Sequence, residues 1–405
     1  MNEGKKTSDH QDQNLPSNPW TALWEVLIVA GKLGLTSFGG PTAHLGYFHN
    51  EYIRKRKWMD EQSYADLVGL CQFLPGPASS QVGIGIGVMR AGLLGGIMAW
   101  IGFTLPSVLA LILFAFVLKG YDVGSAGWIS GLKIVAVVIV AHAILGMAQK
   151  LTPDKGRITI AVLVAATALL WTGPYIQIIL IVSAGLIGWR MYRNQPGIPT
   201  TKLNVPIHRG LAVICLILFA ALLGILPILR QTTNMEWVAL FDSMYRAGSM
   251  VFGGGHVVLP LLEQELVPHG FVSKDDFLAG YGATQAVPGP LFTFASYLGA
   301  VSMGGIGAIV ATIAIFLPAF LLIIGALPFW NAIRSNPHMQ GALAGINAAV
   351  VGLLLAALYQ PVWTTAVLSP VDFAMVSVLF VLLNFWKCPP WVIVSLGIIG
   401  GIIAN

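Results

Sequence analysis

Phe38-Gly39-Gly40-Pro41 followed by Gln72-Phe73-Leu74-Pro75-Gly76-Pro77, and Phe252-Gly253-Gly254-Gly255 followed by Gln285-Ala286-Val287-Pro288-Gly289-Pro290, are one pair of stretches written twice. Phe and Gln stand 34 residues apart in the first copy and 33 in the second, so one deletion aligns the whole block. Each copy has a basic residue six positions before its Phe, Lys32 or Arg246, and an acid thirteen after it, Glu51 or Glu265. Chance similarity is least expected at breakers and charges inside apolar sequence. The pattern therefore reads as a duplicated unit.

The surroundings of these stretches are apolar. Of 405 residues 56% are hydrophobic and 10% charged, with a mean hydropathy of +0.78. A soluble globule cannot cover that much hydrocarbon with so few polar groups. The net charge of +5 does not imply nucleic acid as a partner, because basic residues in such chains collect in cytoplasmic loops. Cys71, Cys215 and Cys388 are scattered and odd in number, which gives neither a disulfide framework nor zinc spacing. No metal or cofactor is expected. Residues 1–19 are polar and the first apolar run lacks a cleavage site after it, so they read as a disordered cytoplasmic tail, not a signal peptide.

A bilayer core takes about 20 apolar residues per helix. Runs near 92–118, 128–149, 210–229, 305–327, 339–359 and 370–386 meet that length; 158–171, 175–189 and 389–404 are shorter. Residues 43–54 and 61–73 are helical by pattern but too short to cross, and each stops at a Gly or Pro cluster. Residues 61–90 are expected to enter the membrane, turn at Pro75-Gly76-Pro77 and leave on the same side. With the amino terminus inside, the run Arg54-Lys55-Arg56-Lys57 and most other basic residues fall on the cytoplasmic side, leaving Lys119, Arg230 and Lys274 outside. The single span at 210–229 then flips the second copy. The expected fold is an all-α polytopic membrane protein of the inner membrane, an inverted repeat of two homologous halves with broken or re-entrant helices. Its parts are the tail, a first repeat at 20–193, a cytoplasmic linker at 194–209, a connecting transmembrane helix at 210–230 and a second, inverted repeat at 235–405.

Inverted repeats with interrupted helices build midplane sites in secondary transporters, because a broken helix frees backbone N–H groups. Residues after each Pro-Gly-Pro begin a helix, where unpaired donors and partial positive charge suit a tetrahedral anion. The expected substrate contacts are Phe38, Gly39, Gly40, Gln72, Pro75, Gly76, Pro77, Ser79, Ser80 and Gln81, with Gly253, Gly254, Gln285, Pro288, Gly289, Pro290 and Thr293 in the second copy. Lys32 and Arg246 lie inside apolar runs, where a cation costs about 2.5–3.5 kcal/mol. They are expected to neutralise a dianion; the alternative is snorkelling, or structural pairing with Glu51 and Glu265. His44 and Glu51 share a helix face, so His44, Glu51, His256 and Glu265 are candidates for proton coupling. Asp66 has Ala279 as its counterpart, and His142, Lys133 and Asn347 read as packing residues. No hydrolase, metalloprotease or nucleotide-binding motif appears, so an enzyme is not expected. Composition and spacing stop at an oxyanion transporter.

At these same residues the chain resembles the long, two-domain form of the chromate transporter family. The resemblance lies in Phe38 to Pro41 with His44 and Glu51, in the segment from Trp58 to Gln81, in Val251 to Val267, and in Thr284 to Phe292. It implies an inner-membrane exporter of chromate that confers chromate resistance, with sulfate as an analogue. Protons are a candidate coupling ion and a homodimer a candidate assembly.

Overall fold

The computed structural model describes residues 19–37, 40–118, 127–171, 176–192, 207–233, 235–251, 258–330 and 337–404. Its helices are α1 (Pro19–Thr36), α2 (Gly40–Phe48, continued by π-helical turns to Lys55), α3 (Glu61–Phe73), α4 (Ala78–Leu118), α5 (Gly127–Leu151), α6 (Lys155–Leu170) and α7 (Ile176–Tyr192). After α8 (Arg209–Thr233) come α9 (Glu236–Met250), α10 (Val258–Leu266), α11 (Lys274–Thr284), α12 (Phe294–Ala326), α13 (Pro337–Ala357), α14 (Pro370–Asn384) and α15 (Pro390–Ala404). The order of long, short and broken elements before α8 recurs after it.

The recurrence extends to backbone angles. Inside α4 the helix breaks at Ala91 (φ −144°, ψ 27°) and Gly92 (φ 68°, ψ −163°). Inside α12 it breaks at Met303 (φ −133°, ψ 17°) and Gly304 (φ 69°, ψ −155°). Glycine at the second position of each break supplies a positive φ without a Cβ penalty. The chain reverses there: a Cβ on Gly87 would collide with the Gly95 carbonyl, and one on Gly299 with the Gly307 carbonyl. Eight residues of straight helix would separate such atoms by about 12 Å. Residues 78–90 therefore run back along the next segment, with the reversal at Ala91-Gly92. Pro106 and Pro318 both follow their positive-φ glycine by fourteen residues and free the Gly102 and Ala314 carbonyls from helical bonding.

One packing site is filled from opposite sides in the two halves. Leu67 on α3 packs over Gly85 of α4, whereas at the corresponding positions Tyr297 of α12 packs over Gly280 of α11. A small residue faces a large one in both, so the interhelical distance is kept while the residues trade places.

The halves interlock. α5 packs against α14 and α15, with Gly131 against the Gly397 carbonyl, and α13 packs against α6 and α7, with Gly345 against the Ala184 carbonyl. Each half's last hairpin thus embraces a long helix of the other. The glycines let backbones approach closely, as helices in lipid require where no hydrophobic effect drives them together.

Among the described residues five helices are long and apolar enough to cross a membrane, in α4, α5, α8, α12 and α13. In α8 only Ala212, Cys215 and Leu226 are buried, while Ile214, Ile217 and Ile228 point outward. An apolar face of that extent requires lipid as its solvent. The chain is a multi-pass membrane protein. Of the residues read as packing groups, Lys133 of α5 reaches Asp275 at 2.7 Å and His142 Nδ1 lies 3.2 Å from Asn384 Oδ1.

Candidate functional site

The twin Pro-Gly-Pro turns meet the opposite half. Gly76 (φ 118°) donates its N–H to the Val251 carbonyl at 2.6 Å, and Gly289 (φ 102°) donates its N–H to the Ser37 carbonyl at 3.0 Å. Ser37 and Val251 are the residues just before the repeated Phe, 214 positions apart, while Gly76 and Gly289 are 213 apart. The two bonds are therefore one contact made twice, in reciprocal directions. Such an exchange is what a two-fold relation between like surfaces produces. It also satisfies the two N–H groups that the turns would otherwise leave bare.

The helix starts after these turns differ. Gln81 folds back so that its Nε2 donates to the Pro75 carbonyl at 2.8 Å, and its N–H donates to the Pro77 carbonyl at 2.9 Å. Ser79 Oγ lies 3.3 Å from His44 Nδ1, joining α4 to α2. In the second copy Leu291 to Thr293 form a 3₁₀ turn before α12, and the Thr293 hydroxyl donates to the Pro290 carbonyl at 2.7 Å. That hydroxyl is spent on its own turn. Gln72 is exposed at the end of α3, whereas Gln285 is buried beyond α11. Phe38, Gly39, Gly253, Gly254 and His256 lie outside the described residues.

Both cations of the repeat are engaged by acids of the repeat. Lys32 Nζ stands 3.4 Å from Glu51, which also receives Lys55 at 3.3 Å and Arg56 at 3.2 Å. Arg56 and Arg90 hold Glu25 at 3.2 and 3.1 Å and lie over the Trp58 ring. In the second copy Arg246 meets Glu265 at 2.8 Å and Asp242 at 2.9 Å, and Arg230 meets the same two acids at 3.6 and 3.3 Å. Three cations converge on Glu51, while two cations face two acids around Glu265. Burial pushes the Glu51 carboxyl up, but hydrogen bonds from Arg56, Lys55 and Lys32 outweigh it and hold the group below the usual carboxylate range.

Sequence reasoning passed over several of these groups. Asp242 is one helical turn before Arg246, a spacing that marks an ion pair. Thr104 and Ser107 flank Pro106 in an otherwise apolar run, and Ser37 directly precedes Phe38. Polar residues beside a helix-breaking proline in lipid were the available signal.

Residues 24–189 and 238–402 match the chromate transporter family. The chain belongs to the chromate transporter family. The two matched stretches fall on the two sides of α8. An uncharacterized transporter of Methanocaldococcus jannaschii is 27% identical, over 88% of this chain and 87% of its own length. The chromate transport protein of Pseudomonas aeruginosa is 26% identical over 80% of this chain and 77% of its own. That of Cupriavidus metallidurans is 23% identical over 94% and 93% respectively. No solved structure matches the chain. Membership makes this chain one of a family of transporters, in keeping with broken helices and reciprocal turns.

Proposed function

We propose that this chain exports chromate across the inner membrane, with its amino terminus in the cytoplasm, and thereby protects the cell from chromate. The observation that carries the reading is the reciprocal contact of Gly76 with Val251 and of Gly289 with Ser37. It joins two broken-helix turns, one from each half, at a common interface. A second half inverted by α8 would bring the turns in from opposite membrane faces, the layout of an alternating-access transporter. The names of the Pseudomonas and Cupriavidus relatives support chromate as the cargo.

Charge supports the direction. Four cations, Lys32, Lys55, Arg56 and Arg90, on two acids, Glu51 and Glu25, leave the mouth of the first half positive. The mouth of the second half, with Arg230 and Arg246 set against Asp242 and Glu265, is balanced. A dianion is drawn to the first mouth, which the positive-inside rule puts on the cytoplasmic side. Outward movement of two negative charges down 100 mV releases about 4.6 kcal/mol. Export needs no cotransported proton, and Glu51, held ionised by three cations, acts as a tie. Lys32 and Arg246 serve the same role.

Inside-out vesicles test this reading. A positive-inside potential should accelerate chromate uptake, with sulfate competing weakly. Uptake that ignores the potential and requires a proton gradient would falsify electrogenic export.

A further inference from the structure

We infer that the transported anion is held in one cradle of neutral hydrogen-bond donors, built by the first half around His44 and closed by Gly289 of the second. The inference rests on the transporter reading and goes beyond it by placing the site and counting it.

Four pieces of chain meet there. The end of α1 brings Ser37, α2 brings His44, the start of α4 brings Ser79 and Ser80, and the Pro106 kink brings Thr104 and Ser107. His44 Nδ1 is 3.3 Å from Ser79 Oγ and its ring lies edge-on to Phe103 at 5.4 Å. Gly289 seals the group: its N–H donates to the Ser37 carbonyl, and a Cβ there would stand 2.9 Å from Ser107 Oγ. Every polar side chain in the group is at most 3% exposed.

The unfilled bonds point to a ligand. His44 Nε2, Ser37 Oγ, Ser80 Oγ and Thr104 Oγ1 are buried and have no hydrogen-bond partner among the described residues. Native proteins rarely leave such atoms bare, and several together mark a group that something else satisfies. In the tautomer whose Nδ1 accepts from the Ser79 hydroxyl, the neutral imidazole carries its proton on Nε2 and offers it as a donor. The Ser37, Ser80 and Thr104 hydroxyls can donate as well. The cradle contains no carboxylate. This is donor chemistry for a tetrahedral oxyanion; a bare cation would be met by the N–H of His44.

Among the described residues the second half shows no such cradle. The residues at the corresponding places are Val251 for Ser37, Val258 for His44, Phe316 for Thr104 and Ala319 for Ser107, all at most 1% exposed. A Cβ added to Gly76 would stand 3.5 Å from Ala319 Cβ there. Hydrocarbon stands where Ser37, His44 and Thr104 stand in the first half, so a desolvated anion finds no partner at these places. The fold is duplicated but the site is single, and the protein carries one anion per chain.

Equilibrium dialysis of chromate against the purified full chain in lipid nanodiscs tests this, alongside melting with and without the anion. The wild type should bind one chromate per chain. Thr104→Val and Ser37→Ala should each weaken binding about ten-fold, as loss of a hydrogen bond to a charged group does. Without chromate both should melt at or above the wild-type temperature, because each removes an unsatisfied buried polar atom. Phe316→Leu, in the second half, should leave affinity unchanged. Wild-type affinity in both donor variants, or two chromates per chain, would overturn the cradle and leave the transporter reading standing. So would melting raised by sodium alone and lost in Thr104→Val. A wild type that binds no chromate would overturn the transporter reading itself.

Discussion

Asp242→Asn separates a structural role for Arg246 from a role in anion binding. Asp242 is fully buried and takes Arg246 at 2.9 Å and Arg230 at 3.3 Å. At an effective dielectric of 20, each attraction is about 5–6 kcal/mol before desolvation is counted. Breaking a buried pair by removing one partner costs about 3–5 kcal/mol, since the remaining charge is left uncompensated. Asparagine keeps the volume and an acceptor oxygen, so the loss reports charge and not packing. Lys32→Ala is the matched comparison: the Lys32 side chain is 56% exposed, and Glu51 keeps Lys55 and Arg56. A pair that open to solvent contributes about 0–1 kcal/mol. Thermal unfolding in detergent should therefore show Asp242→Asn melting lower by on the order of 5 °C, with Lys32→Ala close to wild type. Chromate affinity measured on both proteins completes the experiment. If Asp242→Asn melts like wild type and binds chromate more tightly, Arg246 was being held back from the anion, and the reasoning fails.

Three further outcomes follow from the geometry. Gly289→Ala places a Cβ at φ 102°, 2.9 Å from Ser107 Oγ and 3.3 Å from the Phe103 carbonyl, and should cost about 1–3 kcal/mol in melting experiments. Gly92→Ala meets open space, but φ 68° with ψ −163° is backbone that only glycine adopts readily, and the change should cost about 1–3 kcal/mol from the backbone alone. Asp154, outside the spans, caps α6 by accepting from the Arg157 N–H at 3.0 Å and from the Tyr192 hydroxyl at 2.7 Å. The Tyr192 bond, with the Arg157 contacts, holds its carboxyl below the ordinary 3.8. A depressed carboxylate stabilises the fold above its unfolded pKa and loses that contribution as pH falls through the folded one. The stability difference between wild type and Asp154→Asn should then be constant from neutral pH to about 4 and shrink below it, as acid denaturation would measure.

Much of the fold was legible because its signals are local. Gly76, with a positive φ between two prolines, announces a turn within its own tripeptide, and so does Gly289. The spans near 92–118 and 210–229 follow from hydropathy and lie in long apolar helices, whereas the run at 370–386 forms the shorter helix α14 (Pro370–Asn384). The two thin runs at 158–171 and 175–189 form two helices, α6 and α7, arranged around α13. The candidate site was less legible. Both readings of Lys32 and Arg246 were available from the sequence, and only distances show each closed on an acid.

The sequence by itself determined the solvent, the duplication and the places where helices break, because hydropathy, proline and glycine act within a few residues of where they stand. The tertiary structure decided which half meets which. Gly289 reaches Ser37 across 252 positions of chain and Phe103 comes to His44 from 59 positions away, neither of which leaves a periodic trace in the sequence. It also decided that two halves with one backbone are unequal. Ser37, His44 and Thr104 stand buried in the first half, while Val251, Val258 and Phe316 stand at the same places in the second. Packing across the interface makes that distinction, and no single turn of helix contains it.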